Sequence, residues 1–260
     1  MCTAVLSIEP GLPALLAGIR DELTDRPWEP PARHWPGFPE LTGGRDLLAG
    51  GTWLAVAPAW VRASCVLNGR GQAAPPSSRR SRGILPLGAA AGQPFDKPST
   101  GLFDPFHLVT VEPGRALLQS WDGERFTETE LSPGLHFVVN SGLAGRPAPA
   151  LAPASQADSN GREHELARIG HFLPRFLAAD RPAPRPGQPL VEAWGDWLTL
   201  VNGDGLGPQD LRALVVRHAL PDGRIYGTTS VSLVALWPGA SRYDFCGTPG
   251  DLTAWRSVPL

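Results

Sequence analysis

Cys2 is the residue of this chain whose type and position offer chemistry, because it directly follows Met1. Initiator methionine is normally removed when the next side chain is as small as that of cysteine, so we expect the mature protein to begin with Cys2. That residue then carries both a thiol and a free α-amine, groups that ordinarily titrate near ~8.5 and ~8. The thiolate is the attacking form of cysteine, and such an amine can accept its proton at neutral pH. Cys2 is therefore a candidate nucleophile that supplies its own base. The alternative is a cysteine placed there by chance.

A predicted β-hairpin positions Cys2. The apolar segments 3–8 and 14–19 flank a turn sequence, Glu-Pro-Gly-Leu-Pro, at positions 9–13. Opposed residues of an antiparallel hairpin have a constant index sum, which is about 22–23 for a loop centred on positions 11 and 12. Two charged residues then fall opposite Cys2, namely Arg20 and Asp21. Because adjacent strand residues point to opposite faces, a bulge or the strand end must redirect one of these two toward Cys2.

The residues predicted around Cys2 have the chemistry that acyl transfer requires. Arg20 keeps its proton, so it is suited to stabilise a thiolate. Asp21 can orient the α-amine through a charge-assisted hydrogen bond. The side-chain amides of Asn68 and Asn140, both at predicted strand ends, can donate hydrogen bonds to an oxyanion. The alternatives are solvated surface charges for the pair and turn or strand-end caps for the two asparagines.

The remaining chain is predicted to contain strands, then helices, then strands again. This order is typical of an α+β layered fold and not of alternating βαβ units. A Pro-rich connection spans 27–39, and an Ala-, Pro- and Ser-rich flexible connector spans 144–160. The predicted strands are 51–56, 61–67, 106–111, 115–121, 135–139, 211–219, 226–237 and 241–246, and the predicted helices are 83–92, 162–179 and 191–201.

Composition excludes several classes of function. The net charge of −2 provides no field that would attract nucleic acid or an acidic membrane. No apolar stretch reaches the ~18–20 residues of a transmembrane helix, and the basic region of a signal peptide is absent. The three cysteines, at positions 2, 65 and 246, lack metal-ligand spacing, so we predict neither a metal nor a cofactor. We expect a cytoplasmic protein, and the 30 glycines and 29 prolines suggest a GC-rich bacterial source.

Six segments occur in an order that has a known counterpart. They are Cys2; Ile19-Arg20-Asp21-Glu22; Gly50-Gly51-Thr52-Trp53-Leu54-Ala55-Val56; Ser81-Arg82-Gly83; Gly134-Leu135-His136 leading to Asn140-Ser141-Gly142-Leu143; and Tyr226-Gly227-Thr228. Over nearly its whole length the chain thereby resembles the NRDE family, which includes the transport and Golgi organisation protein 2 group. That family is similar to the cysteine-type N-terminal nucleophile hydrolases, among them penicillin V acylase and bile salt hydrolase.

The resemblance implies one domain over residues 1–260, with the four-layer αββα sandwich of the N-terminal nucleophile hydrolases. It also implies an amidohydrolase that acts on a non-peptide C–N amide bond of a small molecule. The site residues that it implies are the nucleophile Cys2 with Arg20, Asp21, Asn68 and Asn140. The oligomeric state stays open.

Two positions depart from the family pattern. Ile19 stands where the NRDE motif begins with asparagine, and Thr229 stands where the family often carries an arginine. These departures favour the alternative function, a non-catalytic protein that binds or traffics haem or a lipid, since family members are associated with haem trafficking and lipid homeostasis. The nine tryptophans would also suit the walls of a pocket for a flat apolar ligand.

Overall fold

A computed structural model describes residues 2–145 and 156–260 of the chain. Strands make up most of the regular structure. In chain order they are β1 (Thr3–Ile8), β2 (Ala14–Leu23), β3 (Trp28–Ala32), β4 (Thr42–Asp46), β5 (Leu54–Ala57), β6 (Arg62–Asn68), β7 (Phe106–Glu112), β8 (Arg115–Trp121), β9 (Phe126–Leu131), β10 (Gly134–Val139), β11 (Gly142–Leu143), β12 (Arg217–Ala219), β13 (Ile225–Trp237), β14 (Ala240–Cys246) and β15 (Trp255–Ser257).

The helices are fewer and mostly short. They are α1 (Leu85–Ala90), α2 (Gln156–Ala178), α3 (Leu190–Trp194) and α4 (Asp196–Val201). No helix in the described ranges is long and apolar enough to cross a membrane.

The strands form two antiparallel sheets. The first sheet has the order β11-β10-β1-β2-β13-β14-β15, with β12 paired to β13, and the second sheet runs from β3 to β9 in chain order. The order of the first sheet brings the beginning, the middle and the end of the chain together, with β1 and β2 at its centre.

The two sheets stack face to face, and helices cover both outer faces. Between the sheets, Leu6 and Leu16 of the first pack in one cluster with Val109 of the second. On the outer face of the first sheet, aromatic residues of α2 and α4, including Phe172, complete a second cluster. On the outer face of the second sheet, Leu87 of α1 packs with residues of β5. The layers are therefore αββα, as the family resemblance implied.

The hairpin of β1 and β2 has the predicted register. Thr3 pairs with Ile19 and Ala4 pairs with Gly18, so the paired indices add to 22. The turn between the strands includes Gly11, whose φ of 76° lies in the left-handed region that favours glycine. Loop length and turn composition were sufficient to predict this register because the pairing is local.

Several predicted boundaries were wrong, and prolines and glycines explain two of them. The Pro-rich connection at 27–39 contains the edge strand β3, where proline is tolerated because one side of the strand needs no backbone donors. The helix predicted over 191–201 is divided into α3 and α4 at Gly195, which has a φ of 48°. Of the strand predicted over 211–219, only β12 forms.

The flexible connector predicted over 144–160 is corrected at its carboxyl end. Helix α2 begins at Gln156, within the predicted connector and before the predicted helix start at 162. Positions 146–155 of that prediction lie outside the described residues.

Candidate functional site

Cys2 lies immediately before β1, at one end of the space between the two sheets. Extending the strand pairings of β1 by one or two residues shows which side chains lie beside Cys2. On the β2 side, the pairing of Thr3 with Ile19 leads to Arg20 opposite Cys2. On the β10 side, the pairing of Ala4 with Val138 leads to Asn140.

Strand alternation puts these three side chains on one face. Ala4, Leu16 and Val138 belong to the cluster between the sheets, and Cys2, Arg20 and Asn140 lie two or four residues from them. Cys2 itself packs against that cluster. The nucleophile candidate is therefore flanked by a cation on one neighbouring strand and by an amide on the other.

Arg20 is held by groups of both sheets and is only 6 % exposed. Its Nη1 donates to Thr229 Oγ1 at 2.7 Å, and its guanidinium carbon lies 4.5 Å from the centre of the Trp53 ring. Its Nη2 lies 3.5 Å from Asp46 Oδ2 and 3.9 Å from Glu22 Oε2. These contacts fix the guanidinium as a charged group on the Cys2 side of β2.

A bulge in β13 supplies the hydroxyl that binds Arg20. Thr228 pairs with Asp21 and Ser230 pairs with Arg20, so Thr229 is an extra residue between them. The sequence analysis predicted a bulge or a strand end near Arg20 and Asp21. The bulge is present in β13, the strand that pairs with β2. Thr229 is also the position at which the family resemblance led us to expect an arginine. The structure has a hydrogen-bond acceptor for Arg20 there in place of a second cation.

Asp21 faces the opposite side of β2. Its Oδ1 accepts a hydrogen bond from Thr228 Oγ1 at 2.7 Å, and its Oδ2 accepts one from Arg168 Nη1 at 3.2 Å. Its carbonyl oxygen lies 3.7 Å from the Cys2 Sγ. The bulge in β13 does not bring the side chains of Arg20 and Asp21 to the same face of β2. Arg20 faces the other sheet, and Asp21 faces helix α2.

Arg168 connects helix α2 to the start of β1. Besides the bond to Asp21, its Nη1 donates to Thr3 Oγ1 at 3.0 Å and its Nε donates to the Ala213 carbonyl at 3.0 Å. Tyr226 of β13 also contacts Asp21, because its hydroxyl donates a hydrogen bond to the Asp21 carbonyl at 3.1 Å. Sequence reasoning missed both roles. Tyr226 stood only in a family motif, and no signal distinguished Arg168 from an exposed helical arginine.

The two asparagines meet where the two sheets come together. Asn140 is 9 % exposed, and its Nδ2 donates to the backbone carbonyl of Asn68 at 2.8 Å. The Oδ1 of Asn140 has no hydrogen-bond partner among the described residues. The Asn68 side chain is exposed, because Leu67 points inward and alternation turns the next residue to the outer face. Asn140 is thus next to Cys2, and Asn68 reaches it through its backbone.

Burial and the neighbouring charges act in different directions on the Cys2 thiol. Burial raises the pKa of Cys2, and the Asp21 carboxylate raises it further, while the charge of Arg20 acts in the opposite direction. Burial lowers the pKa of Arg20, and the nearby Cys2, Glu22 and Asp46 groups oppose that effect. A thiol with a raised pKa is mostly protonated near neutral pH, so its reaction as a nucleophile would require a base.

Cys2 lines a cavity of about 20 Å³, which holds no more than one water molecule. Cys65 of the second sheet lines the same cavity, and burial raises the pKa of its thiol to about 12.

Within the described residues, no three His, Cys, Asp or Glu side chains are grouped closely enough to hold a metal ion.

Comparison with known proteins gave one family and a set of similar solved structures for this chain. The family model described as "TANGO2: Transport and Golgi organisation 2" matches residues 1–157. Among solved structures, penicillin V acylase from Agrobacterium tumefaciens is similar, with 12 % sequence identity and a TM-score of 0.47 over 99 % of this chain and 86 % of that chain. The search of curated proteins returned no match.

Proposed function

This chain belongs to the Transport and Golgi organisation 2 family, and we propose that it is an N-terminal nucleophile amidohydrolase that cleaves a non-peptide C–N amide bond of a small molecule. The observation that best supports this proposal is the position of Cys2 between Arg20 and Asn140 on the inner face of the first sheet. These three side chains are the nucleophile, the cation and the amide donor that acyl transfer requires.

The reaction begins after removal of Met1 frees the α-amine of Cys2. As the sulfur attacks the amide carbon, the α-amine takes the thiol proton, which agrees with a pKa that burial raises. The tetrahedral intermediate then collapses, the C–N bond breaks, and the α-amine returns the proton to the leaving amine. In the second half of the reaction, the α-amine removes a proton from a water molecule, and the water oxygen attacks the thioester. The C–S bond breaks, and the thiol regains its proton as the acid leaves.

The neighbouring groups receive distinct roles in this scheme. Arg20 stabilises the negative charge that develops on sulfur. Asn140 donates an amide hydrogen to the oxyanion, and Asn68 positions that amide through the bond between its carbonyl and Asn140 Nδ2. Asp21 orients the α-amine by its negative charge. The Arg168 guanidinium, bonded to both Asp21 and Thr3, ties that carboxylate to the Cys2–Thr3 segment.

Carriage of haem or a lipid is the alternative. Part of its support from the sequence was the tryptophan content, but Trp194 and Trp197 are buried in the core between the helices and the first sheet. Trp53 does line the cavity beside Cys2. A haem titration followed by tryptophan quenching separates the two functions, because saturable binding that survives in Cys2→Ala would favour carriage.

Mass spectrometry and a hydrolysis assay test the proposal together. The purified protein is expected to lack Met1, and incubation with an activated amide is expected to leave an acyl adduct on Cys2. Cys2→Ala should abolish both the adduct and hydrolysis. The matched controls are Cys65→Ala and Cys246→Ala, which remove buried thiols and should leave acylation in place. Retained Met1, or full activity in Cys2→Ala, would overturn the proposal.

A further inference from the structure

Arg82 is a half-buried cation without a carboxylate partner. Its Nη1 donates to the backbone carbonyl of Pro105 at 2.7 Å, and it forms no ion pair with any acidic residue in the described ranges. The fully buried arginines of the described residues each have an acidic partner, as with Arg168 and Asp21, or Arg242 and Asp244. Arg181 is half-buried and bonds to Ser7 and to the Pro13 carbonyl without an ion pair to any described residue, but it lies at the turn end of the β1–β2 hairpin. Since a desolvated charge is costly unless paired, Arg82 is the half-buried arginine near Cys2 whose charge needs a partner.

The contacts of Arg82 place it at the same end of the sheets as the nucleophile. The Pro105 carbonyl that it binds also accepts the backbone N–H of Gly69 at 2.8 Å. Gly69 follows Asn68, whose carbonyl holds the Asn140 amide. Asn140 in turn falls opposite Cys2. Arg82 therefore stands on the second-sheet side of the site, while Arg20 stands on the first-sheet side.

The backbone around Arg82 is held closely. The carbonyl of Gly83 accepts a hydrogen bond from the Thr52 N–H at 2.9 Å. A Cβ at Gly51 would lie 2.4 Å from the Gly83 carbonyl carbon, so this approach requires glycine. Burial lowers the pKa of Arg82, while Asp104, Cys2 and Glu22 act in the opposite direction. The guanidinium is thus a positioned positive charge within electrostatic reach of Cys2.

We propose that Arg82 is a specificity-determining residue that binds a carboxylate of the substrate, so that the site accepts anionic amides. This inference rests on the proposed amidohydrolase function and names its substrate class. One N–H of the guanidinium is used on the Pro105 carbonyl, and the other donors can form a bidentate pair with a carboxylate. Such a pair would give the half-buried charge the carboxylate partner that none of the described residues provides.

The alkylation rates of Cys2 by an anionic and by a neutral reagent measure this preference without requiring turnover. Iodoacetate carries a carboxylate and iodoacetamide is its neutral analogue, and peptide mass spectrometry reports the rate of each at Cys2. In Arg82→Gln the ratio of the iodoacetate rate to the iodoacetamide rate should fall about tenfold, the effect of one charge-assisted contact. The iodoacetamide rate itself should change little.

Two further variants separate a contact from a general charge effect. Arg80→Gln removes an exposed arginine two residues away and should leave the ratio unchanged. Arg82→Lys keeps the charge without the planar fork and should lower the ratio about threefold. If Arg82→Gln does not fold, as judged by circular dichroism, the lysine variant decides the question, and an unchanged ratio there overturns the inference.

The failure of this inference is distinguishable from failure of the proposed function. A reactive Cys2 whose ratio is the same in Arg82→Gln, or whose two rates fall equally, overturns the inference and leaves the hydrolase intact. An unreactive Cys2 overturns the hydrolase. In that case calorimetric titration with phenylacetate against phenylacetamide decides whether an Arg82-dependent anion site exists, and equal binding of the two overturns it.

Discussion

Thr229 Oγ1 lies 2.7 Å from Nη1 of Arg20, and an extra residue in β13 is what brings the two together. Without the bulge, strand alternation would give Arg20 a different neighbour. The hydroxyl thereby fixes the orientation of a guanidinium that is almost completely buried. This relationship makes Thr229 a support for Arg20, at a position where the family resemblance had suggested a missing charge.

Removal of this hydroxyl should destabilise the fold. Thr229→Val keeps the side-chain shape but leaves a buried Arg20 donor without its acceptor, which costs about 1–3 kcal/mol. Urea denaturation should therefore give a lower free energy of unfolding. The matched control is Thr127→Val on the exposed surface of β9, expected within about 0.5 kcal/mol of the unmodified protein. Equal effects of the two variants would contradict this account.

Asp21 and Arg168 should behave as one energetic unit. Their side chains are 0 % and 1 % exposed, so Asp21→Asn removes the carboxylate that binds a buried guanidinium and should cost about 3–5 kcal/mol. Arg168→Met added to Asp21→Asn should cost less than the sum of the two single changes, as a double-mutant cycle in urea would measure.

The exposed pair of Arg115 and Glu130 provides the control cycle, with a coupling energy of about 0–1 kcal/mol. Additive effects of the Asp21 and Arg168 substitutions would mean that the two residues do not stabilise one another.

His107 should make the free energy of unfolding depend on pH in the acidic range. Burial lowers its pKa, although its bond to the Asn140 carbonyl acts in the opposite direction. A group whose folded-state pKa is below the unfolded value stabilises the fold above about pH 6.5 and loses that contribution as the pH falls. The free energy of unfolding should thus decrease between about pH 7 and pH 5, and this slope should be smaller in His107→Gln. Identical slopes would exclude the effect.

Cys65 should make stability depend on alkaline pH. Its pKa rises from 9.0 to about 12 through burial, so the folded state keeps a proton that the unfolded state releases. The stabilisation is complete below about pH 9 and is lost as the pH rises toward 12, a change of about 4 kcal/mol. Cys65→Ala should be less sensitive than the unmodified protein to this rise in pH. Burial also raises the pKa of Tyr243, which contributes equally to both proteins, so their difference isolates the cysteine.

Local patterns in the sequence predicted which residue of β2 lies beside Cys2. The turn at 9–13 and its flanking apolar segments predicted the register of β1 and β2, and with it Arg20 opposite Cys2. Strand ends and the family resemblance together indicated Asn140. These features are readable because hairpin pairing depends on residues close in sequence. The αββα layering was likewise expected from the resemblance and agrees with the packing of helices on both sheets.

Only the tertiary structure decided which partner each charged side chain has. Arg168 reaches Asp21 across 147 positions of the chain, and Thr229 reaches Arg20 across 209. Alternation in the sequence indicates that Arg20 and Asp21 point to opposite faces, but not which face meets a helix and which meets another sheet. That choice depends on layer stacking, a non-local balance of apolar burial that no window of residues contains.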